Sequence, residues 1–157
     1  MATPVVSWQG IILGDPLYRP FPSAPPRVSP LNPFVQWQEL CRRSAGRMRE
    51  IQDGVEKRME GNHGALFAEM FAWHCAENKR LNVAAEYFYT AFGRYSSLRD
   101  KTRTMLLMVT TQAASGNRKR AELTIREWLS SSANSPYAPA ISKTAGALLA
   151  PQQPNGK

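Results

Sequence analysis

The residues of this 157-residue chain best suited to chemistry are two cysteines, two histidines and a run of three bases. His74 and Cys75 are neighbours, and a cysteine beside a histidine is the starting point of a thiol nucleophile. On a helix, consecutive side chains point about 100° apart, so this imidazole and this thiol do not face each other. His63 stands far from either thiol in sequence. Cys41 and Cys75 each fall on an apolar helical stripe, which reads as two small buried hydrophobes rather than a disulfide framework or metal ligands. Gly10-Ile11-Ile12-Leu13-Gly14 lacks the Lys-Ser/Thr ending of a phosphate loop. The carboxylates are scattered, with no pair at a spacing suited to acid–base work. Metal ligands at a useful spacing are absent as well. The expectation is a protein that is not an enzyme, with no catalytic, cofactor-binding or metal-binding residue.

What remains is binding chemistry. Arg118-Lys119-Arg120 is the densest basic cluster, expected at a helix N-terminus, where the helix dipole disfavours cations. Cations kept at such a place suit contact with an anion such as phosphate. Tyr87, Tyr89, Tyr95 and Trp73 accompany Glu86 and Arg94. Helical spacing turns Tyr87 and Tyr89 to opposite sides, so at least one should be exposed. An exposed tyrosine suits a protein-binding face; partial burial between stacked helices is the other reading. Tyr89, Arg118, Lys119 and Arg120 are the candidate partner-binding residues.

The composition, 43% apolar and 20% charged, is that of a folded protein. The net charge is +8, and residues 101–157 hold most of it, with eight Lys or Arg against Glu122 and Glu127. Such a basic third attracts nucleic acid or an anionic surface, or simply serves solubility. No segment approaches the ~20 apolar residues of a membrane span. No Lys or Arg precedes Arg19, and no run there reaches the length of a signal-peptide core.

The elements that must position these residues divide at the prolines. Eight of the twelve lie within residues 4–33, and none between 34 and 135. Val5–Leu13 is a continuous apolar run closed by Gly14-Asp15-Pro16, which predicts one strand. Nothing else reads as strand, so it would have no sheet of its own. Leu17–Pro33 predicts an extended, partly polyproline-like linker. Asn32-Pro33 then opens a helix, with Asn as cap and Pro at the first helical position. Phe34, Trp37, Cys41, Met48, Ile51, Val55 and Met59 predict one long amphipathic helix, weakened at Gly46 and Gly54. Shorter helices follow, bounded by Gly61-Asn62, Asn82, the capping-box variant Ser97-Leu98-Arg99-Asp100, Gly116-Asn117 and Ser135-Pro136. The last runs through Leu149, and residues 151–157 should fray as a disordered tail.

Two stretches repeat 37 positions apart: Ala84 matches Ala121, Phe88 matches Ile125 and Phe92 matches Leu129. Gly146 falls in the same register with Ala72 and Val109. Over about residues 64–150 these units resemble tetratricopeptide repeats, with small residues where helices cross and a larger one beside them. Three departures stand out: Trp128 replaces the small residue at the position of Ala91, Lys79 replaces the turn glycine, and the repeat is 37 rather than 34. The resemblance implies an α-solenoid of helical hairpins, whose concave face binds a protein. The expected fold class is all-α, with about five helices preceded by the orphan strand and the proline-rich linker.

The segment Ser7–Phe21 carries Gly14-Asp15-Pro16-Leu17-Tyr18-Arg19-Pro20-Phe21. It resembles the exit segment of uncharacterised bacterial proteins with a caspase- or gingipain-like α/β domain. That resemblance implies an internal start at Met1 and an α/β domain upstream. Residues 1–33 would be its remnant, 34–150 a helical repeat domain and 151–157 a tail. The expected function is a non-catalytic tetratricopeptide-type interaction module in the C-terminal part of a larger bacterial protein, with the bacterial cytoplasm as default compartment. Its partner would be another protein or the upstream domain of the same polypeptide. The alternative is a small basic helical protein binding nucleic acid weakly and without specificity.

Overall fold

The asparagine–proline cap is where the described structure begins. The computed structural model describes residues 32–149, and within them every regular element is a helix. They are α1 (Pro33–Arg43), α2 (Met48–Met59), α3 (Gly64–Glu77), α4 (Leu81–Arg94), α5 (Leu98–Ala114), α6 (Arg118–Ser131) and α7 (Ala138–Leu149). The strand expected at Val5–Leu13, the linker as far as Leu31 and the tail 151–157 lie outside the described residues. Among the described residues no helix is long and apolar enough to cross a membrane.

Two helix starts form as their sequences dictate. Asn32 Oδ1 accepts the Phe34 N–H at 2.9 Å with Pro33 at the first helical position. Ser97 Oγ accepts the Asp100 N–H at 3.4 Å. Two others differ. Arg80, not Asn82, holds the cap position of α4 and makes no side-chain cap bond. Asn117 does precede α6, but its amide donates to Asn82 Oδ1 and Ser115 Oγ instead of capping.

The long helix expected from Phe34 to Met59 is two helices. Ala45 and Gly46 both turn left-handed, with φ of 45° and 77°, and this reverses the chain between α1 and α2. The Ser44 N–H still bonds Leu40 O, but the Arg47 N–H bonds Ser44 O, so the helical ladder stops there. A glycine that merely weakens a helix and one that ends it look alike in sequence. The second kind is helped by a neighbour that also accepts positive φ.

The turns joining α3 to α4 and α5 to α6 are the same structure, 37 residues apart. In the first, Lys79 N bonds Ala76 O at 3.0 Å and Arg80 N bonds Cys75 O at 2.9 Å. In the second, Gly116 N bonds Ala113 O at 3.1 Å and Asn117 N bonds Gln112 O at 2.9 Å. This pair of bonds is a Schellman C-cap, which needs a left-handed residue at its centre. Gly116 supplies it at φ 87°, whereas Lys79 is forced to φ 61°. A side chain in this region costs about 1–2 kcal/mol. Lys79→Gly should therefore stabilise the chain by about 1 kcal/mol and Gly116→Ala destabilise it by a similar amount. Urea titration followed by circular dichroism reads both; a loss of stability in Lys79→Gly or a gain in Gly116→Ala would break the equivalence of the two turns.

Packing follows chain order. α3 packs on α4, α4 on α5, α5 on α6 and α6 on α7; α2 packs on α3, and α1 touches both α2 and α3. Ala84 and Ala121 are fully buried, as are Ala72 and Val109, while Gly146 is exposed. The core runs through Ile51, Val55, Phe71, Phe88, Met105, Ile125 and Ile141 as one cluster. Burial of such side chains stabilises by roughly 1.5–3 kcal/mol each.

One buried polar cluster crosses this core. Glu69 of α3 is only 3% exposed. Its carboxylate accepts the Tyr95 hydroxyl at 2.6 Å and the Arg103 guanidinium, with Nη2 at 2.9 Å and Nη1 on the other oxygen. Arg103 also reaches Asp100 at 3.5 Å. Glu69 thus joins α3, the end of α4 and the start of α5, with its charge paired in the two-pronged geometry a buried carboxylate needs.

Candidate partner-binding groove

α5 packs against both α4 and α6, and no comparable packing joins α4 to α6. The space between the two outer helices is a cavity of about 560 Å³. Met105, Met108 and Gln112 of α5 are buried and make its floor. Tyr89 of α4 and Leu123 of α6 line it with most of their surface open, 63% and 57% exposed, and form the two rims. Trp128, buried on α6, closes one end of the wall together with Phe92.

A smaller cavity of about 280 Å³ shares Tyr89, Gln112 and Arg120 with the first and extends to Asn82, Ala85, Glu86 and Asn117. The two are one continuous groove, apolar where Phe92, Met105 and Trp128 line it and polar toward the helix-joining turns. At the polar end Asn117 Nδ2 donates to Asn82 Oδ1 at 3.2 Å, holding the starts of α6 and α4 together. On the floor, Thr124 Oγ1 donates to Gln112 Oε1 at 3.4 Å and fixes the amide.

The four candidate residues separate here. Tyr89 and Arg120 come together on the groove. Arg118 and Lys119 occupy the first turn of α6 and line neither cavity. Among the described residues Arg118, Lys119 and Arg120 make no ion pair. Tyr87 points the other way: its ring lies edge-on to Phe71 at 4.6 Å and its hydroxyl donates to Glu56 at 2.9 Å. Burial, and then Glu56, push the Tyr87 hydroxyl well above the usual tyrosine range.

Leu123, Gln112 and Glu127 were not singled out by sequence. A signal existed for Leu123, which stands 37 residues after Glu86. An apolar residue replacing a charged one at an outward position marks surface that is not simply solvated.

Among the described residues no group of three or more His, Cys, Asp or Glu is placed to hold a metal. His74 lies against Trp37, ring centroids 5.8 Å apart and nearly perpendicular. Cys75 is fully buried, and burial pushes its thiol up to about 11, with Arg80 opposing. Near pH 8 it should hold roughly a hundredfold less thiolate than a free cysteine. Native protein mixed with a thiol-reactive disulfide reagent should therefore leave Cys75 unmodified until urea unfolds the chain. Prompt labelling of Cys75 in the folded protein would contradict its burial.

Comparison with known proteins found no matching family model, no matching curated protein and no matching solved structure.

Proposed function

We propose that residues 64–149 are tetratricopeptide-like helical repeats serving as a non-catalytic protein-binding module, in the C-terminal part of a larger bacterial protein. The 37-residue identity of the two turns supports the repeat, as do the buried alanines Ala84 and Ala121. The observation that carries the binding role is the open groove: a buried methionine floor between an exposed tyrosine and an exposed leucine. Aromatic and methionine side chains of this kind are enriched at protein interfaces.

The test is comparative capture. The full chain and its Tyr89→Asp/Leu123→Asp variant, with matching circular dichroism, are each used to retain proteins from a bacterial lysate. A partner held by the first and lost by the second is the expected result. Equal retention by both would move the binding surface elsewhere.

The unpaired bases Arg118, Lys119 and Arg120 support a second reading, contact with nucleic acid. Such binding rests on counterion release and falls steeply with salt. Gel shifts across a salt series should show weak, non-specific binding that disappears at high salt. Binding that persists after all three bases are reversed to glutamate would remove this reading's physical basis.

A further inference from the structure

Among the described residues no helix is seated between the two walls of the groove above its floor. Arg120, Leu123, Thr124, Glu127, Trp128 and Ser131 of α6 line the main cavity in two adjacent rows, 120/124/128 and 123/127/131, each stepping by four. Such spacing is the seam along which one helix packs on another. Across the groove, Asn82, Ala85, Glu86, Tyr89 and Phe92 of α4 lie three or four apart along one helix face. Two facing seams above an apolar floor accept a third helix, whose side-chain ridges mesh with both. From Arg120 to Ser131 the α6 seam is about 16 Å long, which sets an occupant of about three turns.

Charge narrows its chemistry. Arg120 and Glu127 both line the groove, two turns or about 10 Å apart. Neither makes an ion pair among the described residues. Glu86 of α4 lines the smaller cavity with Arg120, also without an ion pair among the described residues. Between the two α6 charges the wall is Leu123, Thr124 and Trp128. We propose that the groove takes an amphipathic helix of a partner protein carrying an acidic and a basic side chain seven residues apart, flanking two or more large apolar residues. The acid meets Arg120, the base meets Glu127, and the apolar residues cover Leu123, Trp128 and the methionine floor. Opposed charges two turns apart fix the direction and register of the helix more than they add affinity.

Residues 1–31 and 150–157 do not supply the occupant. The sequence outside the described residues holds a single acid, Asp15, with no base seven positions from it and prolines at 16, 20 and 22. The inference rests on the protein-binding role proposed above and adds the identity of what binds.

The test selects displayed 14-residue helical peptides, randomised along one face, on the full chain. Enriched peptides should carry the acid–base pair at seven-residue spacing with large apolar residues between. Arg120→Glu, an exposed change, should weaken them at least about tenfold. Replacing the peptide's acid with lysine should restore binding to that variant. Enriched peptides without the pair overturn the proposal and leave the binding role standing. So does unchanged binding to Arg120→Glu, or to a correctly folded Leu123→Asp. Failure to enrich any peptide overturns the proposal and the binding role together.

Discussion

Replacing Phe88 with alanine should destabilise the chain by about 3–5 kcal/mol. Phe88 is 1% exposed at the centre of α4, and its ring meets that of Trp73 at right angles with centroids 5.7 Å apart. Truncation removes the buried ring and leaves a void that two packed helices cannot close without moving apart. The midpoint of thermal unfolding should fall by roughly 6–20 °C in a chain of this size. Ile125, 37 residues on and 2% exposed, holds the matching place in α6. Ile125→Ala should cost about 2–5 kcal/mol. Urea unfolding followed at 222 nm gives both values. A loss below about 1 kcal/mol at Phe88 would mean that α4 is not clamped between α3 and α5.

The second large effect is at Glu69. Removing its side chain leaves the Tyr95 hydroxyl without an acceptor and takes the paired carboxylate from Arg103. Stranding the buried groups costs about 1–3 kcal/mol. Arg103 is about half exposed and turns to water, which holds Glu69→Ala toward the lower end of that range. The same cluster makes stability fall in alkali. Burial, and then Glu69, hold the Tyr95 hydroxyl above its ordinary range, and Tyr87 is shifted the same way by burial and Glu56. A group raised on folding contributes its full stability below its unfolded value, near pH 10 for tyrosine. As pH climbs beyond that, the unfolded chain ionises first and the contribution is lost. Urea midpoints should therefore drop between about pH 10 and 12, and Tyr87→Phe with Tyr95→Phe should flatten the drop. An unchanged slope in the double variant would place the alkaline loss elsewhere.

Local signals were legible in the sequence and distances were not. Asn32-Pro33 and Ser97 act within one turn of themselves, so their caps could be read directly. The left-handed Ala45 could not, because nothing in an alanine announces positive φ, and Gly46 alone predicts a weakened helix rather than a break. The alternation of Tyr87 and Tyr89 follows from helix period, and the structure shows Tyr87 bonded inward and Tyr89 exposed. Glu69 sits on an apolar stripe beside Phe67, Met70 and Phe71, where a lone acid asks for a partner. Tyr95 and Arg103 answer from 26 and 34 residues away, beyond the reach of pattern. The groove was hidden for the same reason, since it depends on how far α6 stands from α4. α5 and α6 approach closely along less of their length than α3 and α4 do. Trp128 is buried at the crossing where the first unit has Ala91, and a larger residue there calls for more room between helices.

The nearest-neighbour order of packing bears on how the molecule forms. Almost every helix meets the one just before or after it in the chain, so few long loops must close before contacts reward the loss of chain freedom. Chains of this kind fold in microseconds to milliseconds. The ribosome delivers α3 and α4 together with their αL turn while α6 is still being made. That pair can bury Phe71 and Phe88 before the opposite wall of the groove exists. The apolar floor supplied by α5 then waits, uncovered, until Trp128 arrives.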